Sequence, residues 1–410
     1  VRPDGWASTD EAPVSGPLMS APPVSGPLAG IRVVELAVVI AGPAASATLA
    51  DWGASVVKIE PLGGDPQRRN TERCYFDLDN RGKRSVGLNL KSEEGRRIAL
   101  DLADAADVFI SNLRPDALER LGLDPRTLMA RNDRLVYGLI TGYGTTGPAS
   151  GKAGYDIGAF WSRAGVAAAL AGGGNEPAVS RPGMGDHTTG LALTAGIAAA
   201  LFQRERTGSG TLVSTSLYRA GTYVISSDLT ARLNGSHPRT GLRRAMYNPL
   251  LACYRSSDDR WFWLLGLEPE RHLPAVLLAV GRVDLLADER FASFQGILRH
   301  SDTLMAILDV EFATRTLDEW VPIFAEHDVW WDAVQDLDEV LADPQLDASG
   351  AILEDGRGMR MIGPPVDFST QPAAVVTAAP EAGQHTEDVL LELGVGQAGI
   401  ARLRERGVIA

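Results

Sequence analysis

The chain has 410 residues, 45% of them hydrophobic, with a formal net charge of −13 and a pI of about 5.0; that length supports two or three domains with buried cores, and that charge excludes the broad basic surface of a general nucleic-acid binder. Two cysteines, Cys74 and Cys253, build no disulfide framework and suit a reducing compartment. No run of about 18 apolar residues marks a membrane span, and the opening VRPDGWASTDEAPVSGPL lacks the cationic-then-apolar order of a signal peptide, so a cytoplasmic protein with no membrane partner is expected.

Residues 1–27 are rich in Pro, Ser, Gly and Ala, and APVSGPL at 12–18 returns nearly intact as PPVSGPL at 22–28. Two copies of seven residues build no core, so this stretch reads as a flexible arm. IRVVEL, from Ile31, is a Val/Ile-rich run of strand length. Gly42-Pro43 opens a helix over AASATLADW, with Pro suited to the first turn. Gly53 closes it, and ASVVKIE is the next strand. Strand, helix and strand in so short a span make a βαβ unit with a parallel pair. SEEGRRIALDLADAA (92–106) is an amphipathic helix; VFISNL (108–113) and RLVYGLIT (134–141) are further strands. This alternation predicts an open α/β sheet with helices on both faces. Ligands of such sheets sit beyond the C-terminal strand ends, here the turns Ala37–Pro43, Asn112–Arg114 and Gly142–Gly147.

In GMGDHTTG, Asp186 stands in a glycine-flanked turn before an alanine-rich run, Leu191 to Phe202, which Gly208 and Gly210 close. That places Asp186 at or just before a helix N-terminus, with Thr188 and Thr189 as further cap candidates. The helix dipole there favours an ionised carboxylate. Two readings stay open at this point: an ordinary N-cap, or an exposed carboxylate nucleophile. GGG at 172–174 reads as a loop. TLVSTSLY, from Thr211, is a strand leading into a helix, and LNGSHPRTG (233–241) is a linker. From Tyr247 a β-hairpin with its turn at Ser256–Arg260, then helices through Trp320 and Glu326, suggest a second, α+β domain. Trp261, Trp263, Trp330 and Trp331 are expected mostly in its core. The tail carries a strand-like GMRMIG and two short helices, HTEDVLLELG and AGIARLRERG.

No dinucleotide fingerprint, Walker A sequence or GxSxG elbow occurs, and the scattered histidines offer no metal-ligand spacing. A set of basic and amide positions remains near strand ends: Lys83 and Arg84, then Asn112, Arg114 and Arg120, then Lys152. As a group they suit a phosphate-bearing ligand.

Several long stretches, in order, carry a resemblance: PLAGIRVVELAVVIAGPAASATLADWGASVVKIEPLGGDPQRR, DNRGKRSVGLNLKSEEGR, SNLRPDALERLGLD, GKAGYDIG, GMGDHTTGLALTAGIAAALFQRERTGSG and EAGQHTEDVLLELG. From about residue 28 to the C-terminus the chain resembles the class III CoA-transferases (the CaiB/BaiF family), which include formyl-CoA:oxalate and carnitine CoA-transferases and the related 2-methylacyl-CoA racemases. The resemblance implies a large Rossmann-like CoA-binding domain made of residues 28–232 and a return segment, 331–410. It also implies a smaller inserted α+β domain with its linker at 233–330, and an interlocked homodimer. It implies that Asp186 attacks an acyl-CoA thioester, that an aspartyl anhydride and an aspartyl-CoA thioester follow, and that a carboxylic acid accepts the CoA. CoA is then a substrate, and no permanently bound cofactor or metal is expected.

By motif, the resemblance assigns Val38, Val39 and Ala41 to pantetheine, with Ile40 beside the substrate. It assigns Lys83 and Arg84 to the nucleotide, Asn112, Leu113, Arg114, Ala117 and Arg120 to the diphosphate and pantetheine, and Lys152 to CoA. Tyr155 and Asp156 are assigned to substrate positioning. Pro61 replaces an arginine, and Ile40 a glutamine, of the formyl-CoA branch. The racemase branch has a histidine where this chain has Tyr155, a poor base at neutral pH. A CoA-transferase is therefore preferred over a racemase, which would need His187 as a substitute base, and over a non-catalytic acyl-CoA-binding protein.

Overall fold

The structure is a computed structural model that describes residues 25–171, 176–177, 179–237, 248–369 and 377–410. The arm up to residue 24, the glycine run at 172–174 and the end of the 233–241 linker lie outside these residues. The chain divides into two compact units. One comprises Val1–Val166, Val179–Ser226 and Asp347–Ala410; the other comprises Ala167–Ala178 and Ser227–Leu346.

In the larger unit the elements run β1 (Arg32–Leu36), α1 (Ala41–Asp51), β2 (Ser55–Glu60), α2 (Arg73–Asn80), β3 (Lys83–Gly87), α3 (Glu93–Asp104), β4 (Val108–Ser111), α4 (Pro115–Leu121), α5 (Pro125–Arg131) and β5 (Val136–Thr141). A π-helical segment, Ile157–Arg163, follows; the short α6 (Val166–Leu170) belongs from Ala167 to the smaller unit, and the larger unit resumes with α7 (Met184–Thr207), β6 (Leu212–Ser216) and α8 (Leu217–Val224). The six strands form one parallel sheet in the order β3-β2-β1-β4-β5-β6. The chain winds outward from β1 in one direction and from β4 in the other. The crevice beyond β1 and β4 is thus the topological switch point at which such sheets bind ligands.

Strand side chains alternate between two cores. Val34, Val57 and Phe109 join the core that includes Ile98 and Leu102 of α3 and Val389 and Leu390 near the C-terminus. Val33, Val56, Val108 and Ile110 join Leu49 of α1 and Leu193 and Ile197 of α7. Burying each large aliphatic side chain stabilises the fold by roughly 1.5–3 kcal/mol. Helices α1 and α7 cross at close range, since a Cβ at Gly190 would lie 2.7 Å from the Ala41 carbonyl oxygen. That contact brings the start of α7 beside the β1–α1 turn.

Strand β3 was not foreseen, because its sequence, KRSVG, opens on two cations. Its outer edge is covered by the C-terminal segment. The Ser85 N–H donates to His385 Nδ1 at 3.2 Å, the Gly87 N–H to Thr386 Oγ1 at 3.0 Å, and the Asn89 N–H to the Val408 carbonyl at 2.8 Å. Covering an edge strand also removes a site of unwanted pairing.

The smaller unit contains an antiparallel sheet of β7 (Cys253–Arg255), β8 (Trp261–Leu264) and β9 (Trp331–Ala333), with helices that include Ser301–Phe312 and Leu317–Glu326. The pairing of β9 with β8 keeps the chain in this unit past residue 330. Along β8, Phe262 and Leu264 point into the core while Trp261 and Trp263 point out. The expectation of mostly buried tryptophans is therefore corrected. Trp261, Trp263 and Trp330 are exposed, and Trp331 alone of the four packs on Phe262 and Phe324. A further hairpin, β10 (Ile352–Glu354) with β11 (Arg360–Ile362), belongs to the larger unit.

Candidate active site

Helix α7 begins at Met184, behind Gly183 in the left-handed conformation at φ 73°. A residue with a side chain is strained there, so glycine suits the turn. Asp186 is the third residue of the helix, inside its first turn rather than at or just before its start. Thr188 and Thr189 do not cap it; their hydroxyls donate back to the carbonyls of Met184 and Gly185. Gly185 has no room for a side chain, since a Cβ would lie 2.3 Å from Asp156 Oδ1 and 2.4 Å from Phe160 Cγ. Asp156, buried at the head of the π-helical segment, accepts the Gly185 N–H at 3.1 Å. Its other oxygen is buried without a hydrogen-bond partner.

The loop after β1 faces this turn. Val39 sits at φ 66°, an uncommon conformation for a β-branched residue. Two side chains hold it there. Asn112, just beyond β4, accepts the Val38 N–H at 2.9 Å and donates to the Val38 carbonyl at 2.7 Å. Asp65 accepts the Val39 N–H at 3.3 Å and is fixed by Lys58 at 2.9 Å. Lys58 also pairs with Glu35 at 2.7 Å and donates to the Ala37 carbonyl at 2.9 Å. Lys83 completes the buried network, 2.8 Å from Glu35. Burial raises the Glu35 carboxyl, but Lys58 and Lys83 outweigh it and hold the group down at about 2. The loop thus rests on a fully paired ionic floor, the arrangement in which buried charges are tolerated.

Between these loops lies a cavity of about 230 Å³. Val38, Val39, Ile40 and Ala41 line one side, and Asn112, Leu113 and Arg114 a second. Thr141, Gly142, Lys152, Tyr155 and Asp186 are also on its lining. The structure therefore brings together three strand-end turns and the α7 start. Arg114 and Lys152 are exposed cations on its lining, and Lys152 Nζ also lies 5.5 Å from the Tyr143 ring centroid.

Other expected residues fall elsewhere. Lys83 has no exposed side-chain surface, and its Nζ is engaged by Glu35, the Pro43 and Asp79 carbonyls and Asn80. Burial pulls it down to about 8. It is a structural cation, not one presented to a ligand. Arg84 pairs with Glu392 at 2.7 Å and lines a separate cavity of about 930 Å³ beside the C-terminal segment. Arg120 is exposed and bound to Asp116 at 2.9 Å, and neither it nor Ala117 lines the Asp186 cavity. The Asn112 amide is committed to Val38, so it shapes the cavity through the backbone.

The charge state of Asp186 also departs from expectation. Burial, then the Asp156 and Asp79 charges, raise it to about 7, while His187 opposes the rise. Burial likewise raises Asp156. Desolvation and two carboxylate neighbours outweigh one helix terminus. Asp186 is thus a carboxylate raised well above the ordinary range, as groups at functional sites often are. Sequence reading missed Glu35, Lys58, Asp65 and Asp79. A partial signal for the first two existed, since each interrupts an apolar strand run; that they are register partners comes from the fold. Among the described residues no cluster suited to a metal ion occurs, and no helix is long and apolar enough to cross a membrane.

A doubly wound parallel sheet with a cavity at its switch point places the chain among the α/β proteins that bind ligands there. The model of CoA-transferase family III matches residues 28–386, and the chain belongs to that family. It is 32% identical to (R)-2-hydroxy-4-methylpentanoate CoA-transferase of Clostridioides difficile over 396 residues, covering 93% of this chain and 99% of that one. It is 33% identical to cinnamoyl-CoA:phenyllactate CoA-transferase of Clostridium sporogenes, covering 92% and 95%. Its fold matches the crystal structure of a CAIB/BAIF family protein from Brucella suis with a TM-score of 0.79 at 29% identity, covering 90% and 99%. The chain is accordingly a transferase enzyme.

Proposed function

We propose that the enzyme moves CoA from an acyl-CoA donor to a carboxylic acid, with Asp186 as nucleophile. The observation that carries this is the half-buried Asp186 carboxylate, lining a cavity built from the β1, β4 and β5 turns. A carboxylate is a weak nucleophile, and positioning with partial desolvation is what makes it effective. An Asp186 oxygen attacks the thioester carbonyl, the C–S bond breaks, and CoA leaves as thiolate, giving a mixed anhydride. The thiolate attacks the Asp186 carboxyl carbon and releases the donor acid, leaving an aspartyl-CoA thioester. The acceptor carboxylate attacks that carbon and displaces the thiolate. The thiolate then takes the acceptor acyl group and frees Asp186. No net proton is gained or lost.

With the Val38 and Val39 N–H groups taken by Asn112 and Asp65 and the Gly185 N–H by Asp156, the N–H groups of Ile40 and Ala41 at the start of α1 are the ones that suit the developing oxyanions. Arg114 and Lys152 suit the CoA phosphates. Tyr155 suits a hydrogen bond to a bound carboxylate or thioester, with Asp156 beneath it fixing the α7 turn. The two relatives named above, for 2-hydroxy-4-methylpentanoate and phenyllactate, make a branched or aromatic 2-hydroxy acid the first acceptor to try. A homodimer belongs to this reading, and exposed apolar side chains such as Ile157, Phe202 and Tyr223 are of the kind an interface covers.

The test is CoA transfer from a mixture of acyl-CoAs to a panel of acids, followed by mass spectrometry, with wild type and Asp186→Ala. Transfer by wild type and its loss in Asp186→Ala, with CoA binding retained, is expected. Deuteration at the α-carbon of a 2-methylacyl-CoA without any transfer would replace this reading with a racemase.

A further inference from the structure

His187, the residue after Asp186, takes no part in the steps above, yet its half-exposed ring is fixed at one nitrogen. Its Nε2 lies 2.9 Å from Oδ1 of Asp79, in the last turn of α2, whose side chain is buried. The other edge of the ring folds back on the helix start: a Cβ at Gly183 would lie 3.0 Å from His187 Cε1 and 3.1 Å from Nδ1. His187 and Asp79 line a cavity of about 330 Å³ together with Ile40, Gln67 and Tyr75. Ile40 also lines the Asp186 cavity, so the imidazole stands one side chain away from it.

The surroundings of Asp186 are otherwise acidic. Asp156 lies beneath it with one oxygen unpartnered, and Asp79 acts on it from α2. Asp79, Asp186 on its own helix and Arg81 just beyond α2 act on the imidazole, and Glu72 lines the same cavity. Arg81 is bound to Asp51 at 2.6 Å. We propose that Asp79 and His187 form a positioning pair for the nucleophile: Asp79 fixes the imidazole and keeps it charged, and the imidazolium keeps Asp186 an anion among its carboxylate neighbours.

This rests on the reading of Asp186 as nucleophile. In a partly desolvated site a cation is worth far more than in water, and the carboxylate must be ionised to attack. The balance of charges agrees. The hydrogen bond to Asp79 raises the imidazole above its ordinary value, and His187 is the neighbour that pulls Asp186 down against burial and Asp156.

The experiment is a carbon NMR titration of the full-length enzyme labelled at aspartate carboxyl carbons, with the Asp186 signal identified by its loss in Asp186→Asn. In His187→Gln the apparent midpoint of Asp186 moves up by about one pH unit. In His187→Lys, which restores a cation, it returns to the wild-type value. An unchanged midpoint in His187→Gln overturns the proposal. Turnover by Asp186→Asn is measured in parallel. If it persists, the nucleophile reading fails even where the titration shifts; if it is lost while the titration stands still, only the pairing fails.

Discussion

Asp186 sits where burial and like charge oppose its ionisation, and that has a consequence for stability. Its folded-state value, about 7, lies above the ordinary carboxyl value. The folded protein therefore binds this proton more tightly than the unfolded chain, and ionised Asp186 is a cost to folding. The cost is full above about pH 7 and is relieved as pH falls toward the ordinary carboxyl range. Asp186→Asn, which cannot ionise, should melt at a higher temperature than wild type at pH 8, with the gap smaller at pH 5. Calorimetry at both values checks this, and a variant less stable than wild type at pH 8 contradicts it. Asn112 acts through the backbone it braces. Asn112→Leu keeps the volume and removes both bonds to Val38. Turnover is expected to fall roughly a hundredfold, as small misplacements in a reactive site do, with CoA affinity far less affected. Equal losses in both would make Asn112 a ligand contact instead.

At the scale of elements, β3 is the instructive case. Its opening cations looked like ligand contacts in sequence, yet Lys83 is an internal brace joining β1, α1 and α2 through Glu35, the Pro43 carbonyl and Asn80. Lys83→Met is expected to destabilise the fold by about 3 kcal/mol, the scale for breaking a buried pair. Its CoA affinity, measured below the melting transition, should remain that of wild type; a selective loss of CoA binding would falsify the brace. The contrast shows what was legible. The strands β1, β2, β4, β5 and β6 and the α7 segment were readable because their apolar runs end in Gly, Pro or polar turns. Asp186, Tyr155, Arg114, Lys152 and the Val38–Ala41 loop were assigned by motif, and the fold gathers them around one cavity. What stayed hidden depends on tertiary neighbours. A charged residue in a strand does not announce whether it faces water or a partner across the register. Nor does a helix N-terminus announce that two carboxylates will be folded against it.

At the scale of the molecule, the doubly wound sheet supplies the crevice and the C-terminal segment closes the β3 edge. The proposed homodimer adds a prediction that needs no substrate. Obligate interfaces of interlocked subunits exceed roughly 2,000 Å², so sedimentation should show a dimer that does not dissociate on dilution. A stable, active 43.6 kDa monomer would remove this part of the account.

The central claim, that Asp186 carries the CoA during transfer, is open to one direct measurement. When an acceptor acid labelled with heavy oxygen in its carboxylate attacks the aspartyl thioester, its attacking oxygen bridges the anhydride and stays on Asp186 as the acyl group departs to CoA. After turnover with an acyl-CoA donor, proteolysis and peptide mass spectrometry should find heavy oxygen in the peptide that contains Asp186, and none when the donor is omitted. Completed CoA transfer with an unlabelled Asp186 peptide would contradict the account.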